Sequence, residues 1–541
     1  MVDEIREKYM SLTQDKREKL VEKLKKEGKR YGVFPLTDLQ NTLMYAYLTD
    51  KADTSYNIRT LLRFSEKLDV SRLKKTLWQV VDDNPSLRSR LLILNDEYFQ
   101  VVEESPVIQV PYIEADSAGI RQKIDDMDTG FDLEREYPIK FMLIRDIYTK
   151  EYVLIMTAHH IFTDGWSFEI IINEIKKGYV KESFLHNEKK RSCPQIYSER
   201  SPGELTVQYW EKYLKGGLCK PKLDKWECRQ EEIGNKKDSV VVKLLPEEDV
   251  EKIAVENSVS VYAVMLSAYL DSLHLLTNQD KVSTAIAVLN RKNTEELESV
   301  GLYATLLPVL SDIKNETLKE RLDSIKEEIR NCITYSDMNQ RNLINLLISQ
   351  NNSSEIYNNV FLFSEQKRDA VQLGDTDVWI QSENIDNSNR LQYDVLCSVG
   401  LLESFYVLNI EYRSGKISKE FAEKLEKNFK EVLTGYTRRK RDIKIGYTEE
   451  KILKDDITYE NEKSSSSGKY VKELRDIWVS LLEHDDFTSS DKFFVVGGNS
   501  LLSIKLMKRI NEHFNVKIKI TDIFLYDSLD KMSGYLRRLK Q

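Results

Sequence analysis

The 541-residue sequence has few of the residues that mark fibrous, disulfide-rich or disordered chains. It contains 10 Pro, 20 Gly and 5 Cys, and its 41% hydrophobic content is typical of packed globular domains. The odd number of cysteines and the absence of a C-x-x-C pair argue against a disulfide framework. At roughly 100–200 residues per domain, the length predicts about three or four structural units.

Neither sign of charge dominates, and no long hydrophobic run is present. The 81 Lys and Arg against 89 Asp and Glu give a net charge of −8, which offers no field for binding a phosphate backbone. No apolar stretch reaches the about 18 residues that a membrane helix needs. The first residues are charged where a signal peptide would be apolar. The sequence therefore predicts a cytoplasmic protein that binds neither nucleic acid nor membrane.

Charge and hydrophobic patterning divide the chain into five segments. Residues 14–30 carry dense charge with apolar residues at helical spacing, which predicts a solvated leader helix that ends at Gly28. Two long segments mix helical and strand-like patterns and predict an α/β or α+β fold. A polar stretch that includes the serine run 464–467 has little to bury and predicts a linker before a small helical domain. The predicted boundaries are 1–30, 31–190, 191–445, 446–468 and 469–541.

Within the two long segments, several elements have a clear pattern. Those predicted as helices are Val70–Val81, Val261–Leu276 and Phe421–Leu433. Those predicted as strands are Leu91–Leu94, Tyr152–Ala158, Val360–Phe363 and Phe405–Tyr412.

The most specific motif directly follows the predicted strand Tyr152–Ala158. It reads His159-His160-Ile161-Phe162-Thr163-Asp164-Gly165, in a chain that has only 6 His. Because side chains alternate across a strand, we expect His159 and His160 on opposite faces, so that only one of them faces a given cavity. The alternative is a pair of satisfied core histidines at the strand end.

A second motif lies in the last segment, where Ser500 follows Gly497-Gly498-Asn499 at a predicted helix start. The free N–H groups of a helix N-terminus favour a phosphate there. An ordinary N-cap serine is the alternative on local grounds. A hydrolase nucleophile elbow is excluded because Leu502 stands where that motif needs Gly.

Two further kinds of site find no support. Residues 464–469 superficially resemble a phosphate-binding loop, but no strand precedes them and the first Gly of that motif is missing. No group of His and Cys has metal-ligand spacing, so no metal site is expected.

The motif at residues 159–165 matches the HHxxxDG motif of nonribosomal peptide synthetase condensation domains. Four other segments resemble motifs of that family, namely Phe34–Gln40, Asn84–Arg90, Tyr209–Leu214 and Val300–Tyr303. Two positions depart from the family pattern. Thr305 stands where Asn is usual, and Asn339-Gln340-Arg341 stands where His-Gln-Asp is usual. These departures concern the subtype and not the family.

The resemblance implies two chloramphenicol-acetyltransferase-like lobes, at 31–190 and 191–445, with a tunnel between them. By this resemblance His160 lies at the reaction centre, next to His159. Asp164 is mainly structural and pairs with Arg88. Gly165 brings the backbone close to the reacting thioester because it lacks a Cβ atom.

The block around Ser500 resembles the motif of peptidyl carrier proteins, which are small all-α four-helix domains. The resemblance implies that Ser500 bears 4′-phosphopantetheine, attached by a phosphopantetheinyl transferase. It further implies amide formation between an acyl thioester on an upstream donor carrier, supplied in trans, and an aminoacyl group on Ser500. A separate adenylation enzyme or domain is expected to load that aminoacyl group.

Other members of the same superfamily are alternatives. An epimerase-type domain normally follows its carrier, whereas Ser500 lies downstream, and a heterocyclising domain replaces the histidine pair with aspartate. An ester-forming or other atypical condensation subtype stays open. So does a non-catalytic platform that recruits tailoring enzymes, although such domains usually lose the second histidine or the glycine.

Overall fold

The computed structural model describes residues 1–180, 202–228, 236–438 and 468–540, apart from short segments at 95–96, 315, 352–355, 365–369, 375, 385–390, 403, 483, 494–495, 497–499, 519–521 and 524–525. The predicted linker at 446–468 therefore lies outside the described residues, except for its last position.

Among the described residues of the first segment there are seven strands and six α-helices. The strands are β1 Val33–Pro35, β2 Asn57–Phe64, β3 Ser89–Leu94, β4 Glu97–Val102, β5 Tyr112–Ala115, β6 Ile139–Asp146 and β7 Tyr152–His159. The helices are α1 Val2–Met10, α2 Gln14–Glu27, α3 Asp38–Thr49, α4 Val70–Asp83, α5 Ser117–Asp126 and α6 Gly165–Val180.

Strand β7 is buried along its whole length because it has helices on both sides. Its residues Leu154, Met156 and Ala158 join a core that includes apolar residues of α4 and α6. The alternate residues Val153 and Ile155 pack with apolar residues of α5. This arrangement explains the continuous apolar run in the sequence, since a strand covered on both faces needs no polar side.

The N-terminal residues differ from the predicted leader. They form two helices, α1 and α2, rather than one, and these pack on the three-stranded sheet β1-β4-β3. Val2 and Val21 are among the side chains buried there. Helix α2 ends at Gly28 as predicted, and a Cβ atom there would lie 2.7 Å from the carbonyl oxygen of Val33. The glycine is needed for this close approach.

Among its described residues, the second segment contains the remaining eight strands and seven helices. The strands are β8 Lys237–Pro246, β9 Lys281–Val288, β10 Thr305–Asp312, β11 Asn359–Ser364, β12 Val371–Gln372, β13 Trp379–Asn384, β14 Val395–Leu402 and β15 Phe405–Arg413. The helices are α7 Glu204–Tyr213, α8 Glu247–Asn257, α9 Val261–Thr277, α10 Thr294–Leu297, α11 Leu318–Thr334, α12 Gln340–Asn351 and α13 Lys419–Arg438.

Six of these strands form one mixed sheet in the order β10-β9-β11-β14-β15-β8. Helix α9 is the centre of the core that covers it, with every residue from Ala263 to Leu273 buried. Its one acidic residue, Asp271, is paired with Arg321 of α11 at 2.7 Å. In the described part of the chain, no single helix is long and apolar enough to cross a membrane, and only the bent pair α8 and α9 passes by length and composition together.

The boundary between the lobes is not a single point in the sequence. Strands β12 and β13 come from the second segment but extend the first lobe's sheet, whose order is β12-β13-β2-β7-β6-β5. Strand β13 pairs antiparallel with β2 from Ile380, opposite Phe64, to Asn384, opposite Thr60. The predicted division at residue 190 therefore needs this correction.

The C-terminal domain contains three described helices, α14 Gly468–Leu482, α15 Ser500–Phe514 and α16, which spans Leu529–Lys540. Their apolar faces meet in one core around Trp478, Met507 and Met532. The predicted small helical domain agrees with this arrangement.

Candidate functional site

His159 is the last residue of β7 and lies in an aromatic environment. Its ring contacts Tyr47 and Phe131 edge-on, at 5.9 Å in each case. Its Nδ1 atom accepts a hydrogen bond from the backbone N–H of Ile161 at 3.1 Å. Burial, with the neighbouring His160 as a smaller cause, lowers the pKa of His159 to about 3. His159 is therefore a neutral core residue at physiological pH.

His160 lies just beyond the strand, in the turn that leads to α6. Its backbone N–H donates to the carbonyl oxygen of Tyr56 at 2.8 Å, which fixes the turn against the residue that precedes β2. The ring is partly exposed, and its Nδ1 atom is buried without a hydrogen-bond partner among the described residues. Strand alternation alone does not place this ring, because the turn has already changed the backbone direction.

Asp164 is fully buried and joins the two lobes. Its carboxylate accepts hydrogen bonds from Arg291 Nη2 at 2.8 and 3.0 Å, and both side chains have no exposed surface. It also accepts from the backbone N–H groups of Ser167, Tyr303 and Ala304. Burial alone would raise the pKa of Asp164, but the charge of Arg291 and the hydrogen bonds from Ser167 and Tyr303 more than offset it and hold the pKa below its usual value.

The predicted pairing of Asp164 with Arg88 is wrong. The Arg88 guanidinium instead donates to two backbone carbonyls, that of Asp82 at 3.0 Å and that of Glu103. It thereby ties the end of α4 to the residue that follows β4. The true partner, Arg291, lies 127 residues from Asp164, in the loop after β9. No local pattern in the sequence distinguishes it from other arginines.

Gly165 is the first residue of α6 and is exposed. A Cβ atom built at this position would have no atom within 4 Å. The space beside the backbone at the start of α6 is therefore open, and the role of Gly165 stays a prediction.

The helical C-terminal domain packs against the condensation motif. Leu297 belongs to the apolar core of that domain, and Trp166 and Leu289 pack against the same core. Glu298 forms an ion pair with Lys508 of α15. We call the four side chains of Trp166, Leu289, Leu297 and Glu298 the docking face.

Ser500 is the first residue of α15, the helix that carries Lys508. A helix start supplies free backbone N–H groups, so its position suits a phosphate ester. The same helix reaches the docking face through Lys508, and Trp166 of that face is only two residues from Asp164. The helix that begins at Ser500 thus contacts the second lobe through Lys508, beside the segment that follows the histidine motif.

A small cavity of about 70 Å³ lies between the lobes near this region. It is lined by Thr37, Asp38 and Leu39 from the first lobe and by Asn290, Leu302, Tyr303, Thr305, Asp337, Met338, Asn339 and Gln340 from the second. Residues from both positions that depart from the family pattern, Thr305 and the pair Asn339 and Gln340, line this cavity. Thr305 donates a hydrogen bond to Gln340, and Asn339 donates to Asp38 across the lobes.

Comparison with family models identifies both parts of the chain. Residues 31–443 match the condensation domain, and residues 472–536 match the phosphopantetheine attachment site. The chain belongs to the condensation domain family. The second match means that the helical domain is a carrier with covalently attached 4′-phosphopantetheine.

The curated relatives are nonribosomal peptide synthetases. Surfactin synthase subunit 2 of Bacillus subtilis (strain 168) is 24% identical over 407 residues, and bacitracin synthase 2 of Bacillus licheniformis is 21% identical over 433 residues. These alignments cover 74% and 76% of this chain but only 11% and 16% of the relatives' length.

Solved structures with the condensation-domain fold match this chain. The starter condensation domain of rhizomide synthetase, as a mutant in complex with C8-CoA and Leu-SNAC, matches with a TM-score of 0.66 at 13% identity, over 78% of this chain and 98% of that one. The X-domain from teicoplanin biosynthesis matches with a TM-score of 0.65 at 16% identity, over 76% of this chain and 96% of that one. The predicted two-lobed fold is confirmed.

Proposed function

We propose that this chain forms an amide bond between an acyl thioester on a separate donor carrier and an aminoacyl group on its own carrier domain. The observation that carries the proposal is the position of the carrier, which packs on a docking face that includes Trp166, next to the motif of His160 and Asp164. Bound at Ser500, the phosphopantetheine arm would supply a thioester link that presents the acceptor amine at this motif.

His160 is the residue that we assign to the reaction. A free α-amine has a pKa of about 7.7–8.0, so a useful fraction is already nucleophilic at neutral pH. After the amine attacks the thioester carbonyl, the nitrogen must lose a proton while the thiolate leaves. A positioned base is worth about 10²–10⁴-fold, and orientation of the amine gives a comparable effect. Either role needs a ring nitrogen that substrate can reach, and because Nδ1 is buried, we assign the role to Nε2.

The other motif residues support His160 without taking part in proton transfer. His159 stays neutral in its aromatic pocket and holds the turn through Ile161. Asp164 fixes the start of α6 to the second lobe. Gly165 leaves open space beside the backbone, where the thioester would pass.

The direction of transfer follows from where the carrier lies. A carrier in the same chain reaches the docking face at a high effective concentration, whereas a donor carrier on a separate protein arrives by diffusion. We therefore assign the acceptor role to Ser500, so that the donor acyl group is transferred onto the acceptor nitrogen and the product stays on this chain.

The test mixes an acyl-loaded donor carrier with this chain aminoacylated on Ser500 and follows both intact masses. The chain should gain the mass of the acyl group, and the Ser500→Ala variant should gain none. A mass gain on the donor carrier instead would reverse the assignment of donor and acceptor. No transfer between any tested pair would favour a non-catalytic platform.

A further inference from the structure

One segment of the second lobe, residues 289–304, includes α10 and carries three of the four docking-face side chains as well as the partners of Asp164. Leu289, Leu297 and Glu298 meet the carrier domain. Tyr303 and Ala304, at the other end of the segment, donate their backbone N–H groups to the Asp164 carboxylate at 3.0 and 3.1 Å. The same segment therefore contacts both the carrier and the motif.

Arg291 lies near the start of this segment and is buried. Its Nη1 atom donates to the carbonyl oxygen of Ser299 at 2.6 Å and to that of Glu296, which are the residues on either side of Leu297 and Glu298. Its Nη2 atom donates to Asp164. One guanidinium thus binds the turn that carries the docking face and the carboxylate of the motif at the same time.

Two other contacts reinforce this arrangement. The guanidinium of Arg291 lies 4.0 Å from the centre of the Tyr303 ring, which restricts its plane. The indole N–H of Trp166 on α6 donates to the carbonyl oxygen of Leu297 at 2.9 Å, which joins two members of the docking face across the lobes.

We propose that Arg291 is a positioning residue that couples the docked carrier to the catalytic motif. This inference rests on the proposed function. Arg291 touches neither the carrier nor the substrate, but it fixes the docking face relative to the turn of His160. Lys cannot replace it, because a single ammonium lacks the planar set of donors that binds a carboxylate and two carbonyls together. A misplacement of about 1 Å between reacting groups costs on the order of 10²-fold in rate.

The test compares two acceptors in the full chain with its arm attached. One acceptor is the aminoacyl group on Ser500, and the other is a diffusible aminoacyl thioester of a short thiol. In the Arg291→Lys variant the ratio of carrier-bound to diffusible rate should fall at least tenfold, since only the carrier-bound acceptor depends on the docking face. A merely structural defect would lower both rates together.

Arg321→Lys is the matched control. Arg321 is also a buried arginine paired with an aspartate, Asp271, with side-chain exposures of 1% and 8%, but it lies between α11 and α9. Its substitution should lower stability and leave the rate ratio unchanged. The proposal would be overturned if the ratio of carrier-bound to diffusible rate in the Arg291→Lys variant were within twofold of that ratio in the Arg321→Lys variant. The unmodified chain, tested with both acceptors, reports separately on the proposed function.

A second measurement does not depend on activity or on a buried substitution. Glu298→Lys places like charges at the exposed pair with Lys508, and the Glu298→Lys/Lys508→Glu double variant restores opposite charges. Hydrogen exchange at the amides of Tyr303 and Ala304 should be at least threefold faster in the single variant and return toward normal in the double variant. Small-angle scattering of the same samples reports loss of docking. Lost docking with unchanged exchange at both amides would also overturn the coupling.

Discussion

The Asp164–Arg291 pair gives the most direct test of how the lobes are joined. Replacing Asp164 by Ala strands the Arg291 guanidinium in a site where neither side chain has exposed surface. Breaking a buried ion pair in this way costs about 3–5 kcal/mol. At roughly 2 °C per kcal/mol for a unit of this size, we expect the melting temperature to fall by about 6–10 °C.

A double-mutant cycle separates the ion pair from the other bonds of Asp164. The Asp164→Ala/Arg291→Met variant removes both charges, so it should be less destabilised than the sum of the single variants by about 2–3 kcal/mol. It should stay less stable than the unmodified protein, because the N–H groups of Tyr303 and Ala304 still lose their acceptor.

The measurement is denaturant unfolding of the single and double variants, with Arg88→Ala in a parallel cycle. Because Arg88 binds the carbonyls of Asp82 and Glu103 instead, its effect should add to that of Asp164→Ala within about 0.5 kcal/mol. Additive effects for Arg291 together with strong coupling for Arg88 would refute the pairing. The stabilisation from Asp164 should be present above pH 4 and be lost as the pH falls through its lowered pKa, since only the ionised form pairs.

Three further predictions concern the two motifs. His160→Ala should lower amide formation at least 100-fold while transferase treatment still modifies Ser500, as measured by rate and intact mass. Ser500→Ala should abolish that modification without changing the melting temperature, and any modification that persists in this variant would contradict the assignment. The protein should lose stability as the pH falls from about 6.5 toward 3, because the unfolded chain protonates His159 and the folded one does not. His159→Phe should flatten this dependence, and an unchanged slope in that variant would argue against the buried neutral histidine.

The parts of the candidate site that can be predicted from the sequence are those whose residues are neighbours in the sequence. His160, Asp164 and Gly165 lie within one short motif, and the strand before them has a clear apolar pattern. Arg291 was missed because its role depends on a contact between the lobes, and the sequence separation of 127 residues carries no signal of it. The family motif indicates Arg88, but Arg88 bonds to backbone carbonyls, and the partner of Asp164 lies outside every motif.

In the fold, too, features set by neighbouring residues could be predicted, and features set by long-range contacts could not. The α4 helix was predictable because Asp69 caps its start and Pro85 follows its end. The pairing of β13 with β2 was not, because a short strand can join either of two sheets and its own pattern does not specify which. The sequence also does not predict that α1 and α2 pack on the protein. Most of their residues are charged, and only a few, such as Val21, are buried in the core.

The insertion of β13 into the first lobe's sheet has a consequence for how the protein unfolds. Strand β13 lies between β12 and β2, so unfolding of the second lobe removes an internal strand from the first. The two lobes should therefore melt in one transition, and neither is a self-sufficient fragment. A truncated first lobe would expose the edge of β2 over residues 60–64, and an unpaired edge of this kind promotes aggregation.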